Sequence, residues 1–445
     1  MPLTIIHFPY GLDGPYETRF EERRPRDPVG GDMVVVGFLT RPGRAAETVR
    51  VHWSRNGRPQ ASILARASAT GTDEDRWLVE LGVVEAGDEV EYWIAADGAN
   101  GRAESPRHRF AVRRWRRLAG VSDVEPVADG IRLATVGDDG APGPLLTLST
   151  CPPARGLRLR IDAGPVTILG PRSAPAQEAA GVPPVIHHEG LTLGVDPTDG
   201  RLTLGNGADT TCGPLTLRWL EEGDGRLAAV ELVGPLADGE ALVGFGERFD
   251  ALEQRGRAPG MTVYEQYKNQ GDRTYLPVPF FLSSRGYGCL VEGTAPVAYD
   301  LGRTVHDRWR CLVEAPAGKG VAFDLFAGSP IDLLHAFTAL VGNPALPPAW
   351  AFGPWMSSNE WNTQARVMAE VEQTRRHGIP ATVLVIEAWS DETTFYVWNG
   401  ADYAATVGAA PLRLADFTFP SDGPWPDPKA MVDALHAAGI RLLLW

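Results

Sequence analysis

Carboxylate and aromatic side chains follow the apolar runs in the C-terminal part of this chain. Glu387 comes directly after the apolar run 381–386, and Trp389 lies two positions further on. If these runs are parallel strands of an α/β barrel, their C-terminal ends carry the active site. A carboxylate there can accept more than one hydrogen bond, and an indole ring can stack on an apolar ligand face. The candidate binding residues are therefore Glu387, Trp389 and Trp445, followed by Trp361 and Glu360.

Each of these residues also has a purely structural interpretation. A carboxylate at a strand end, such as Glu387, is commonly no more than a surface charge, and a tryptophan beside a strand, such as Trp389 or Trp445, commonly packs into a core. The position of Glu387 immediately after an uninterrupted apolar run favours a site, because that is where a barrel strand opens onto the ligand.

The apolar run that precedes Glu387 follows a predicted helix. Asn362 or Thr363 can cap this helix, which we expect to run to His377 and to end at Gly378 before the run 381–386 begins. A helix that leads into a continuous apolar run indicates a buried parallel strand.

The same order of signals then recurs. Asp427 is a predicted N-cap, Pro428 a first helical residue and Gly439 a helix stop, and the run 440–444 is the next strand. Alternating strands and helices are typical of an α/β sheet or barrel. We therefore predict an α/β sheet or barrel over residues 344–445, with about three strands.

The N-terminal part of the chain shows the alternation of half-buried strands. In the range Asp32–Val112, apolar residues such as Val90, Tyr92 and Ile94 alternate with Glu89 and Glu91. This pattern predicts an immunoglobulin-like β-sandwich over residues 1–117. Its tryptophans could form a sugar-stacking platform, which would make the module carbohydrate-binding, but core packing is the better interpretation; they are Trp53, Trp77 and Trp93.

The middle of the chain, residues 118–343, stays rich in predicted strands. Segments such as 157–162, 215–220 and 321–326 read as strands, and helical periodicity is confined to about 331–340. A second and larger β-sandwich is therefore predicted, followed by a short helix.

Composition limits the kinds of partner. The 42 Lys and Arg against 56 Asp and Glu give a net charge of −14, which disfavours nucleic acid. No secretory signal or membrane span is predicted, and the cysteines form no C-x-x-C pair, so we expect a cytoplasmic protein with reduced thiols, no metal and no cofactor. The four cysteines are Cys151, Cys212, Cys289 and Cys311. The sequence does not indicate an oligomeric state.

Three stretches together resemble glycoside hydrolase family 31. Val243–Asp250 (VGFGERFD) is similar to a signature of the family's N-terminal sandwich, and Leu346–Trp355 (LPPAWAFGPW) is similar to the entry into its barrel. Phe417–Pro420 and Trp425–Pro428 are similar to the segment before the second barrel helix. Each stretch alone is a weak signal, but their order and spacing are those of the family. The resemblance implies that the larger sandwich is of the galactose-mutarotase-like kind and that residues 344–445 form the first part of a (β/α)8 catalytic barrel.

The resemblance also implies a function. Members of this family are retaining α-glycosidases, so we expect an α-glucosidase, α-xylosidase or α-galactosidase type of enzyme with an oligosaccharide or glycoside substrate. Glu387 stands where the family has an aspartate that binds sugar hydroxyls. The two catalytic aspartates are expected beyond Trp445, which would leave this chain inactive and incomplete. The alternative is a non-catalytic carbohydrate-binding or structural β-protein.

Overall fold

The computed structural model describes residues 2–12, 18–99, 101–163, 183–265, 268–390, 397–404 and 411–445. The chain divides into two compact units, Met1–Asn343 and Pro344–Trp445. The first unit is built from antiparallel sheets and the second from a parallel sheet with helices. The predicted fold class, β-sandwiches followed by part of a (β/α)8 barrel, is therefore confirmed.

The N-terminal module contains two antiparallel sheets whose inner faces share one core. The first sheet consists of β1 (Thr4–Ile6), β2 (Arg23–Arg24), β3 (Met33–Arg41), β7 (Arg66–Thr70) and β8 (Asp75–Val83). The second consists of β4 (Ala46–Arg55), β5 (Arg58–Pro59), β6 (Ile63–Leu64), β9 (Glu89–Gly98), β10 (Gly101–Glu104) and β11 (His108–Ala111). Phe38, Val51 and Ile94 are fully buried between the sheets, as the alternating pattern requires.

The three tryptophans of this module do not share a surface. Trp77 belongs to the first sheet, whereas Trp53 and Trp93 point to opposite faces of the second. Trp53 and Trp77 pack against the core. The ring of Trp93 stacks on His52 with centroids 5.1 Å apart, and the guanidinium of Arg107 lies 4.0 Å from the same ring. These contacts fit the structural interpretation of the tryptophans better than a common sugar platform.

The second sandwich is a set of antiparallel strands around the largest core cluster of the described residues. Its first half comprises β12 (Arg114–Val127), β13 (Gly130–Gly137), β14 (Leu146–Thr150), β15 (Leu157–Ile161), β16 (Val185–His188), β17 (Leu191–Val195), β18 (Leu202–Asn206) and β19 (Asp209–Glu221). Its second half comprises β20 (Leu227–Pro235), β21 (Leu242–Gly246), β22 (Pro277–Ser283), β23 (Tyr287–Val291), β24 (Val297–Leu301), β25 (Arg308–Glu314) and β26 (Val321–Ala327).

A helix follows the last of these strands. Helix α1 (Pro330–Val341) begins at Ser329, which forms a reciprocal capping box with Asp332. Leu333 and Ala336 bury one side of the helix against the sandwich. The helix predicted near 331–340 is therefore confirmed.

The VGFGERFD stretch ends strand β21 in an unusual backbone conformation. Gly244, Phe245 and Gly246 all have positive φ, at 117°, 66° and 85°. Only the two glycines adopt such angles freely, so the buried Phe245 ring is held there by its neighbours. Arg248 donates to the backbone carbonyls of Phe245 and Asp272 instead of pairing with the adjacent glutamate. Burial lowers the pKa of its guanidinium. The stretch is a structural corner of the sandwich.

The second unit has a parallel sheet in the order β27, β28, β31. Its elements are a 3₁₀ turn (Ala349–Phe352), β27 (Trp355–Ser358), α2 (Gln364–Arg376), β28 (Val383–Ile386), β29 (Asp402–Tyr403), a second 3₁₀ turn (Leu414–Asp416), β30 (Phe417–Thr418), α3 (Pro428–Ala437) and β31 (Arg441–Leu444). None of the helices in the described residues combines the length and apolar character needed to cross a bilayer.

The helix boundaries of this unit follow the predicted signals. The hydroxyl of Thr363 accepts from the backbone of Arg366, and the carboxylate of Asp427 accepts from the backbone of Ala430. Gly378 and Gly439 take positive φ after the two helices, at 65° and 77°. The two helix-to-strand connections predicted from these residues are confirmed.

Candidate functional site

Glu387 extends the face of strand β28 that points away from the helices. Leu384 and Ile386 pack into the core formed with α2 and α3. Side chains alternate along a strand, so Val383, Val385 and Glu387 share the opposite face. The first two strands are parallel, with Ser357 opposite Val385. The hydroxyl of Ser357 donates to the carboxylate of Glu387. Glu387 thus lies at the C-terminal end of the sheet, tied to the neighbouring strand.

Trp445 continues the third strand beside Glu387. Its backbone nitrogen donates to the carbonyl of Ile386 over 3.1 Å, which extends the ladder between β28 and β31 by one residue. By alternation its side chain shares a face with Arg441 and Leu443, which is the face of Glu387. The side chain of Trp445 is 67% exposed. An exposed ring and a carboxylate on one face could together hold a polar ring-shaped ligand.

Trp389 occupies a different environment from the one expected of a stacking residue. Only 8% of it is exposed, and it belongs to the core between the sheet and the helices. Its ring meets Trp398 edge to face at 5.5 Å, and Trp398 meets Trp425 in the same way at 4.9 Å. The structure therefore favours the core-packing alternative over stacking on a sugar. The indole nitrogen of Trp389 donates to the carbonyl of Trp445 over 2.7 Å, so the ring supports the strand that carries Trp445.

The two weaker candidates lie on the loop after strand β27. Trp361 is half-buried against the same core, and its backbone nitrogen donates to the carbonyl of Ser358. Glu360 is exposed, and its backbone nitrogen donates to the hydroxyl of Ser358. Among the described residues Glu360 shares no hydrogen bond with Glu387. The geometry thus brings Glu387 and Trp445 to one face and leaves Glu360 and Trp361 on the adjoining loop.

Sequence reasoning overlooked Ser357 and the supporting role of Trp398 and Trp425. Ser357 had one available signal: it stands in the first strand at a position that alternation assigns to the open face. Trp398 and Trp425 were expected to serve the site as aromatic residues of the long loop after Glu387, but Trp425 is almost fully buried, at 1% exposure. Within the described residues there is no group of His, Cys, Asp and Glu side chains that could hold a metal ion.

Comparisons with known proteins assign these domains. Residues 344–445 match the glycosyl hydrolases family 31 TIM-barrel domain, and residues 221–300 match the glycosyl hydrolase 31 N-terminal galactose mutarotase-like domain. Residues 6–77 match the Lmo2446-like N-terminal domain. Residues 221–300 and 344–445 are therefore domains of the glycoside hydrolase family 31 type.

Relatives and solved structures agree with this assignment. The chain is 31% identical to an isomaltosyltransferase of Sporosarcina globispora over 99% of its own length and 41% of the relative. It is 44% identical to a 1,3-alpha-isomaltosidase of Kribbella flavida over 47% of its own length and 30% of the relative. The structure of a cycloalternan-forming enzyme from Listeria monocytogenes matches with a TM-score of 0.85 and 31% identity, covering 99% of this chain and 43% of that one. The chain thus spans less than half the length of these relatives.

Proposed function

We propose that residues 1–445 belong to a retaining α-glycosidase that acts on α-linked glucosyl oligosaccharides. We further propose that residues 1–117 form an immunoglobulin-like module, 118–343 the mutarotase-like sandwich and 344–445 the start of the catalytic barrel. The observation that carries the proposal is the position of Glu387 and Trp445 on one face at the C-terminal end of a family 31 barrel sheet. In such barrels the ligand binds at this end.

The proposed substrate class follows from the relatives. One is an isomaltosyltransferase, another is a 1,3-alpha-isomaltosidase, and the Listeria structure contains a pentasaccharide substrate. These names support a glucosyl oligosaccharide over a xyloside, because the relatives named α-xylosidases are less similar, at 25 to 28% identity. The net charge of −14 is compatible with a neutral sugar and unfavourable for a polyanion.

Glu387 acts in this proposal as a substrate-binding group. Its carboxylate would accept hydrogen bonds from sugar hydroxyls and so hold the ring while the glycosidic bond is cleaved, and Trp445 would cover a face of the same sugar. Retention of configuration needs two further carboxyl groups about 5 to 5.5 Å apart, one as nucleophile and one as acid and base. We propose that both lie outside residues 1–445.

The test uses the enzyme encoded by the whole gene. Hydrolysis of isomaltose-containing oligosaccharides and of aryl α-glucoside, α-xyloside and α-galactoside is measured, and the anomer first released is identified by NMR. We expect the α-glucosyl substrates to be cleaved with release of the α-anomer, and no turnover by residues 1–445 alone. Release of the β-anomer would refute the retaining mechanism. Binding without turnover by the whole gene product would favour the non-catalytic alternative.

A further inference from the structure

We propose that Ser357 is a positioning residue that fixes the carboxylate of Glu387 for substrate binding. This inference rests on the proposed function. It is drawn from the hydrogen bond between Ser357 and Glu387, which joins two strands across the open face of the sheet.

The strand register explains why these two residues meet. Ser357 is paired with Val385, so Glu387 lies two residues beyond the point directly opposite Ser357. With strands about 4.8 Å apart and a rise of about 3.3 Å per residue, the two Cα atoms are separated by about 8 Å. A serine and a glutamate side chain together span this diagonal. Aspartate lacks one methylene, which shortens its reach by roughly 1.3 Å given a C–C bond of about 1.5 Å, so it would meet Ser357 only at full extension.

The contact leaves most of the carboxylate free for a ligand. A carboxylate offers about four acceptor positions, and a single hydroxyl donor occupies one of them. Serine is also neutral, so Glu387 keeps its full charge for sugar hydroxyls, whereas an arginine partner would occupy both oxygens. Without the serine, the glutamate side chain could take several rotamers. The hydroxyl therefore selects the orientation in which the carboxylate leans towards strand β27.

Ser357 contributes little to the stability of the fold. It is exposed on the face opposite the helix-packed core, where loss of a hydrogen bond has a small effect on folding. Its neighbour Ser358 shows the contrasting case, because its hydroxyl accepts from the backbone of Glu360 and shapes the loop. A strong effect of Ser357 on activity would therefore come through Glu387.

A double-mutant cycle in the whole gene product tests this coupling. Wild type, Ser357→Ala, Glu387→Asp and the double variant are compared by kcat and KM on an isomaltose-containing oligosaccharide. We expect Ser357→Ala to lower kcat/KM roughly tenfold, the scale of one hydrogen bond to a charged group. In the Glu387→Asp background the same change should alter kcat/KM less than about twofold, since the shorter carboxylate no longer depends on the serine.

Two further variants separate positioning from a structural role. Ser357→Thr retains a hydroxyl and should recover kcat/KM to within about threefold of wild type, in line with a preserved hydrogen bond. Ser421→Ala removes an exposed serine of the same unit and should leave both kcat/KM and Tm unchanged. Ser357→Ala should also keep the wild-type Tm.

The outcomes distinguish this inference from the proposed function. If the wild-type enzyme is active and the effects of Ser357→Ala and Glu387→Asp multiply independently, the positioning role is refuted and the glycosidase proposal stands. If Ser357→Ala lowers kcat/KM together with Tm, and Ser357→Thr does not recover activity, the serine is structural and the inference is again refuted. A wild-type enzyme that neither cleaves nor binds any α-glycoside overturns both.

Discussion

Removal of the buried carboxylate of Glu240 is expected to destabilise the second sandwich strongly. Glu240 is 4% exposed and accepts from the hydroxyls of Ser283 and Tyr287, each over 2.6 Å, and from the backbone of Ala237 over 2.8 Å. The indole nitrogen of Trp309 in turn donates to the Tyr287 hydroxyl over 3.0 Å. Burial raises the pKa of the Tyr287 phenol, so it stays a donor. One carboxylate thus organises three donors within the sandwich.

The expected loss follows from these three bonds. A hydrogen bond to a charged group contributes about 1.5 to 3 kcal/mol, and a donor left unpaired in the interior costs about 1 to 3 kcal/mol. Bonds that share one acceptor are not additive, so we expect about 3 kcal/mol for Glu240→Ala. For a domain of this size that corresponds to a fall in Tm of roughly 6 to 12 °C. Glu240→Gln should lower the free energy of unfolding by about half as much. Its amide oxygen can still accept hydrogen bonds, but its amide nitrogen is a donor and leaves at least one of the three donors without an acceptor.

Thermal unfolding of the chain, followed by tryptophan fluorescence to which the buried Trp219 and Trp309 of this sandwich contribute, measures this effect. Glu314→Gln is the matched control, because Glu314 is exposed on strand β25 of the same sandwich and should leave Tm unchanged. If Glu240→Ala lowers the Tm of this transition no more than the control does, the hydrogen-bond network does not stabilise the sandwich and the reasoning is refuted.

Three further predictions concern pH, the thiols and the site. Burial lowers the pKa of His7 from 6.5 to about 4. Because this folded-state pKa lies below the unfolded-state pKa, His7 contributes about 3 kcal/mol to the free energy of unfolding above pH 6.5, and this contribution is lost as the pH falls towards 4. The Tm of wild type should therefore fall more between pH 7 and pH 4.5 than that of His7→Asn, and equal falls would refute this. All four cysteines are buried and free, and burial raises the pKa of their thiols, to about 12 for Cys212 and Cys311. Because a buried thiol with a raised pKa reacts poorly, Ellman's reagent should label none of them in the native chain and all of them in urea. In the whole gene product, Glu387→Ala should lower kcat/KM at least tenfold with little change in Tm, and it should lower kcat/KM more than Glu387→Gln does. Near-native activity of the alanine variant would show that Glu387 does not bind the sugar.

The elements of the second unit could be predicted because their signals are local. A cap such as Thr363 or Asp427 bonds to a backbone nitrogen three residues away, and a stop such as Gly378 or Gly439 acts through its own φ angle. None of these effects depends on distant residues. Helix positions were therefore predicted to within one or two residues, without knowledge of the packing.

The environment of Trp389 could not be predicted in the same way. Its partner Trp398 comes from the following loop, and Trp425 comes from the residues just before helix α3. Whether an indole beside a strand faces a ligand or the core depends on which residues outside the strand pack against it. The periodicity of the strand does not predict that packing. The same limitation applies to Phe245, whose positive φ is imposed by packing against Phe281 and Tyr299.

The face on which Glu387 lies depends on whether its residue number is odd or even. Along β28 the even-numbered side chains Leu384 and Ile386 enter the helix-packed core, so a carboxylate at either place would be buried without a partner. The next odd-numbered position after the strand is the first one where a charge can extend the open face. With the even-numbered side chains packed against the helices, parity assigns Glu387 to the opposite face. It does not identify Ser357, thirty positions earlier, because that contact also requires the register between β27 and β28. A one-residue shift of that register would place Met356 or Ser358, both on the other face, at the level of Val385, so Ser357 would lie on the face opposite Glu387 and the pair could not form.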